Sequence, residues 1–459
     1  MATSSILHLF LLSLSLLSLS SSSLALTQKP NSFILPIAKD ATTLQYSTTI
    51  KMGTPARSLD LVIDISERFL WFECDKTYNS STYNPIQCGS KKCKLSKGTE
   101  CITCTNHPLK TGCTNNTCAL SVFNPIAQLF VSGDIGDDIL SSLHTTVGDR
   151  GILKNVNAPH FISSCVYPDK FGVQGFLQGL SKGKKGILGL ARTLISLPTQ
   201  LATRFKLDRK FTLCLPSSSK TNGPRLGLGL GLGLGNLFIG GGPYHLGSSK
   251  DDFSKFLTYT PLIANRHSTG PIFDNSPSTE YFIKVNSIKV DNSVINYNST
   301  LLSINRFGGG GTKLSTVIPH TKLHTLVYQP LVNAFVKKAE IRKIKRVKGV
   351  APFGACFDSR TIGKSVTGPN VPTIDLVLKG GVEWRINGGN SMVKVNENVL
   401  CLGFVEVGLE NLGGLEPSFV IGGHQLEDNL LEFDLVSSKL GFSSSLLLNK
   451  ASCSSFRRF

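Results

Sequence analysis

Short apolar runs rich in Val, Ile, Leu and Phe recur along the whole chain, each closed by a cluster of Gly, Pro, Asn or Ser. Residues 43–50, 59–65, 280–290 and 431–442 are examples, and their length and β-branched content predict strands. Helical spacing is confined to short pieces, residues 197–205 and 323–338. The pattern predicts an all-β protein with few short helices. At 459 residues the chain can build two large cores, and a coarse internal echo divides it in the same way. Each half has an apolar strand running into a polar loop, at Asp64 and at Ser315, and later an apolar-apolar-Gly element. These elements are Ile187-Leu188-Gly189 and Val420-Ile421-Gly422. The expected organisation is two β lobes, residues 26–245 and 246–459, with a cleft between them.

Residues 1–25 stand apart. They contain no Lys, Arg, Asp or Glu, hold an apolar stretch over residues 6–19, and end in Ser23-Leu24-Ala25, a small-x-small cleavage site. This reads as a secretory leader, too short for a membrane anchor. Twelve cysteines agree with export. Cys88, Cys93, Cys101, Cys104, Cys113 and Cys118 crowd into an insertion over residues 74–118, and Cys74, Cys165, Cys214, Cys356, Cys401 and Cys453 complete the set. An even count in an oxidising compartment predicts a disulfide framework. Cys101-Ile102-Thr103-Cys104 has no matching second pair to complete a zinc site. Asn79, Asn115 and Asn298 lie in glycan acceptor triplets.

The formal net charge of +18 lies entirely outside the leader. A secreted protein this basic adheres to polyanions such as an acidic wall polysaccharide. Nucleic acid is not expected, because the cations are dispersed and no recognition fold accompanies them. The dense run over residues 337–348 has helical spacing at first and reads as a solvated face. Residues 226–235 alternate Gly and Leu, which suits a flexible or edge insertion better than a core strand. Neither this segment nor Gly308-Gly309-Gly310-Gly311 has the spacing of a dinucleotide or phosphate loop, so no cofactor is expected. His320 and His324 are four apart with no acidic third ligand nearby, and are expected to be polar surface residues rather than a metal site. Trp71 and Trp384, in strand settings, are expected in the core.

The loop Leu61-Val62-Ile63-Asp64-Ile65-Ser66-Glu67-Arg68-Phe69-Leu70-Trp71 resembles the first active-site loop of pepsin-like aspartic proteases with its working parts altered. Such an enzyme needs two carboxyls of unequal protonation, one to activate water and one to bind the substrate carbonyl. Asp64 could be one. The matching second loop reads Lys313-Leu314-Ser315-Thr316-Val317-Ile318-Pro319, and the Ser315 hydroxyl cannot take the other part. Ile65 and Ser66 replace the family's Thr and Gly, and Arg68 is expected to pair with Asp64 and hold it ionised. The flap hairpin, which should lie near residues 123–133, has Asn124-Pro125 where a tyrosine and glycine are usual. No catalytic residue is expected; Asp64 and Ser315 are degenerate positions.

The resemblance narrows with Ala351-Pro352-Phe353-Gly354-Ala355-Cys356-Phe357, Val371-Pro372-Thr373-Ile374-Asp375-Leu376, and Val420-Ile421-Gly422-Gly423-His424-Gln425-Leu426-Glu427-Asp428-Asn429. These segments resemble the non-proteolytic plant branch that contains basic 7S globulin, extracellular dermal glycoprotein and the inhibitors of microbial xylanase and xyloglucan endoglucanase. The resemblance implies a bilobal, secreted, six-disulfide protein, with Cys356 paired to Cys401 and Cys214 to Cys453. It also implies a protein that binds microbial glycoside hydrolases through loops of the second lobe. One such loop carries an arginine in related inhibitors, but residues 408–418 here contain Glu410 and Glu416 and no Arg. The other precedes Ala351-Pro352-Phe353 and offers Arg342, Lys343, Lys345 and Arg346. The expected function is a defence protein that binds or inhibits such an enzyme. A storage or binding globulin and a weak aspartic endopeptidase are the alternatives.

Overall fold

In the computed structural model, residues 30–74, 78–98, 100–104, 110–147, 152–167, 175–218, 234–246, 251–268, 277–408 and 416–455 are described. The expected leader, residues 226–233 of the Gly-Leu segment, and Glu410 lie outside them. The fold is mostly β and pepsin-like, with a closed barrel of seven strands and further strands around it. The strand predictions hold in place, with shifted ends. The first predicted strand starts late, at Tyr46–Met52, because Asp40 Oδ1 accepts from the Thr43 N–H at 2.7 Å and turns the chain first. Residues 280–290 split at Lys284. Phe282–Ile283 pairs with Thr258–Ile263, while Val285–Val290 joins another sheet beside Ile374–Leu378. Residues 431–442 form a hairpin of Leu430–Asp434 and Lys439–Phe442, closed by Asp434 Oδ1 accepting from the Val436 and Ser437 N–H groups.

Leu197–Phe205 is helical as predicted. The second helix is Thr325–Ile341, two residues late at its start because His324 serves as N-cap, its Nδ1 accepting from the Leu326 N–H at 3.1 Å. It stops inside the basic run, where Lys343 takes a left-handed conformation with φ of 57°.

The two halves are joined by a shared sheet. Gly235–Ile239, Lys210–Cys214, Leu430–Asp434, Lys439–Phe442 and Thr258–Ile263 lie side by side, so the centre pairs the first half of the chain with the second. Phe211 and Phe433 stack at this seam with ring centroids 4.6 Å apart. Gly235, the end of the Gly-Leu segment, enters this sheet opposite Ile37. Trp71 and Trp384 are buried in the core. All twelve cysteines are paired, as Cys74–Cys165, Cys88–Cys101, Cys93–Cys118, Cys104–Cys113, Cys214–Cys453 and Cys356–Cys401. The last two are the pairs the resemblance implied.

Candidate functional site

Each polar loop is set by its own strand and by the later apolar-apolar-Gly element. Gly186–Gly189 runs parallel to the strand Arg57–Asp64, with Gly189 opposite Asp64. In the second half Thr312–Leu314 runs parallel to Phe419–Ile421. The glycines that end these elements are required by contact: a Cβ on Gly189 would sit 2.5 Å from the Glu67 carbonyl oxygen, and one on Gly422 2.8 Å from that of Ile318. The Leu190 N–H then donates to the Asp64 carbonyl, and the Ser315 N–H to that of Ile421. The parallel pairing is therefore repeated in both halves, while the hydrogen bonds that follow it run in opposite senses.

The two loops meet through Thr316. Its hydroxyl donates to the Ile63 carbonyl at 2.8 Å and accepts from the Ile65 N–H at 3.3 Å. The reciprocal bond has no donor, because Ile65 carries a hydrocarbon side chain packed in the core. Asp64 and Ser315 are each 2% exposed. Asp64 Oδ1 accepts from the Ser66 N–H at 2.7 Å, and Ser315 Oγ accepts from the Ile318 N–H at 3.2 Å. Burial raises the Asp64 pKa to about 6, against the nearby Lys313 ammonium, which lowers it. Lys313 is itself paired with Glu280.

Arg68 does not pair with Asp64. Its Nη2 donates to the Ser121 carbonyl at 3.1 Å, and its guanidinium lies 5.7 Å from the Phe69 ring centre. The acid beside Asp64 is Glu67, which the sequence reading passed over; the signal was a second acid three residues after Asp64, where the family has a small residue. Glu67 is buried and accepts from the Arg68 N–H at 2.8 Å. Burial pushes its pKa to about 8; Arg68 works against the rise and the Asp64 charge adds to it. The first loop thus holds two buried acids, one largely protonated at neutral pH. The second offers hydroxyls.

The hairpin expected near residues 123–133 is present, with Thr117–Asn124 paired to Leu129–Val147. Asn124 is fully buried and fastens its tip. Its Nδ2 donates to the Phe176 and Gln178 carbonyls, and its Oδ1 accepts from the Ile126 and Ala127 N–H groups. A side chain that reaches down into the protein replaces one that would cover a cleft.

His324 is not a surface residue, and His320 is half-buried. His324 is buried as the helix cap, and His320 packs edge-on against Phe353 with centroids 5.0 Å apart. Burial, helped by His424 nearby, lowers the His320 pKa to about 4. His424 Nδ1 lies 3.3 Å from the buried carboxylate of Glu427, which also accepts from Tyr46 Oη at 2.6 Å and pairs with Lys39. This network links Gly423–Leu426 to the first half of the chain. Among the described residues no cluster of three or more His, Cys, Asp or Glu could hold a metal ion.

Residues 46–229 match the family described as "Xylanase inhibitor N-terminal" and residues 280–444 that described as "Xylanase inhibitor C-terminal". The chain belongs to this plant pepsin-like family. "Probable aspartic proteinase GIP2" of Nicotiana benthamiana is 44% identical, covering 99% of both chains. The solved structure "Crystal structure of edgp" has a TM-score of 0.85 at 42% identity, covering 94% of this chain and 98% of that one. "Crystal structure of Basic 7S globulin from soybean" has a TM-score of 0.73 at 31% identity, covering 94% and 100%. Members of the xylanase-inhibitor family are generally non-proteolytic.

Of the candidate contact residues, Arg342 is engaged, its Nη2 2.7 Å from Asp291 and its Nη1 3.4 Å from Asn370 Oδ1. Lys343, Lys345 and Arg346 are exposed and have no acidic partner within ion-pair distance among the described residues. Arg346–Val347 pairs with Cys356–Asp358, and Cys356 is bonded to Cys401 on the next strand. Glu416 is exposed, and its carbonyl accepts from the Gly310 N–H at 2.8 Å. Asn79, Asn115 and Asn298 are all exposed.

Proposed function

We propose that this chain is a secreted, proteolytically inactive defence protein that binds and inhibits a microbial glycoside hydrolase. The observation that carries the reading is the disulfide-braced hairpin that presents Arg346 at the start of an exposed loop, residues 348–352, without an acid to neutralise it. A glycosidase cleft holds two carboxyls flanking the scissile bond. A guanidinium on a rigid hairpin pairs with such carboxyls at small entropic cost and excludes the sugar. Two features support inactivity as a peptidase: the second loop supplies Ser315 in place of an acid, and Asn124 ties the hairpin tip to the Phe176 and Gln178 carbonyls where the family has a tyrosine.

The test is titration of the mature, disulfide-intact protein against family 11 and family 12 glycosidases, with Arg346→Ala in parallel. Stoichiometric inhibition lost on substitution supports the reading. No inhibition across both families favours a binding or storage globulin, a second reading to which Glu416 contributes, since an acid facing a carboxylate-lined cleft repels.

A further inference from the structure

The basic run, read from the sequence as a solvated face, is gathered by the fold with cations from two later segments. The Lys345 N–H donates to Thr361 Oγ1 at 3.0 Å and its carbonyl accepts from the Asp358 N–H, which places the short turn Ser359–Thr361 and its Arg360 alongside. Arg342 reaches Asn370, whose N–H donates to the Gly363 carbonyl at the base of the small hairpin of Lys364–Ser365 and Gly368–Pro369. Arg342, Lys343, Lys345, Arg346, Arg360 and Lys364 are all exposed, and these bonds gather their segments into one basic ridge. Two carboxylates answer these six cations, Asp291 on Arg342 and Asp358 on Arg360. Lys343, Lys345, Arg346 and Lys364 have no acidic partner within ion-pair distance among the described residues.

Two further features give the ridge a character. It carries exposed aliphatic side chains, Ile341 at 70% and Val366 at 71% exposure, and none of the large exposed aromatics. Aliphatic surface among cations suits the C–H faces of sugar rings; the stacking that single-stranded nucleic acid requires has no platform here. Arg342 and Arg360 are already fixed by Asp291 and Asp358, so apart from Arg346 a ligand meets lysines held on short, braced turns. We propose that this ridge is a docking surface for a linear polyuronate, whose regularly spaced carboxylates pair with Lys343, Lys345 and Lys364 while its rings lie on Ile341 and Val366. This goes beyond inhibition and does not depend on it, because Arg346 is left intact in the variants below.

The experiment is affinity electrophoresis of the full disulfide-bonded chain through gels containing polygalacturonate, fully methyl-esterified pectin or inorganic polyphosphate, at low and physiological salt. The ridge variant Lys343→Glu, Lys345→Glu, Lys364→Glu is compared with a control of equal charge change, Lys91→Glu, Lys94→Glu, Lys97→Glu, whose lysines are exposed elsewhere. The expected result is salt-sensitive retardation by polygalacturonate, stronger than that by polyphosphate or esterified pectin and weakened about tenfold or more in the ridge variant and about twofold or less in the control. The milder pair Lys345→Gln, Lys364→Gln serves if the triple variant does not fold. Equal losses in ridge and control variants would overturn the proposal, as would equal retardation by esterified pectin or by polyphosphate.

Discussion

The Thr316 hydroxyl donates to the Ile63 carbonyl at 2.8 Å, joining two loops 253 residues apart in the chain. The same oxygen takes the Ile65 N–H, so one buried side chain satisfies two buried backbone groups. Thr316→Val would keep the shape and strand both groups without water. The expected cost is about 2–4 kcal/mol, taking about 1–2 kcal/mol for each unsatisfied group. Urea unfolding at constant slope is the measurement.

Restoring the acid should not restore the enzyme. In Ser315→Asp, both halves would offer a carboxyl, but Asp64 stays turned to its own loop N–H groups and Asn124 still fastens the hairpin tip. The expected outcome is no pepstatin-sensitive cleavage of a fluorogenic peptide at acid pH. Turnover that pepstatin abolishes would show that the missing acid was the sole defect.

The buried acids set a pH dependence. Asp64 at about 6 and Glu67 at about 8 both lie above their unfolded values. The folded state therefore binds more protons than the unfolded state between the two values, so their contribution is fully present below about pH 4 and is lost as pH rises. Glu67→Gln keeps an acceptor for the Arg68 N–H and removes the charge. It should raise the melting temperature at pH 8 by several degrees, with little change at pH 4.5, in scanning calorimetry over that range.

Asn124→Ala removes four hydrogen bonds from a buried position. The expected loss is about 2–4 kcal/mol, accompanied by faster amide exchange at Ile126 and Ala127, whose N–H groups lose their acceptor. Exchange confined to global unfolding would mean that the tip is held by something other than Asn124.

How much could be read in advance depended on range. The strands around Asp64, the helix Leu197–Phe205 and the buried places of Trp71 and Trp384 follow from local pattern, and local pattern is what a sequence displays. Residues 280–290 looked continuous because both pieces are apolar; only the surrounding sheets reveal the switch at Lys284. Arg68 was assigned to Asp64 by proximity in sequence, yet its partner is the Ser121 carbonyl, contributed by a distant strand. His320 and His324 looked like surface residues because their covering, from Phe353 and from the capped helix, is tertiary. Glu67 was missed because an acid in a loop is ordinarily solvated, and its burial depends on the chain folding over it.

The Cys214–Cys453 bond gives the chain a tolerance to cutting. It fastens the strand Lys210–Cys214 to the last described turn, Cys453–Ser455, and encloses nearly the whole second half. A protease that severed the backbone once between these cysteines would release nothing: both fragments would remain one particle until a reductant reached the bond, migrating as a single band before reduction and as two after it. In a compartment rich in foreign proteases, the working surface of the second half would outlast the continuity of its own backbone.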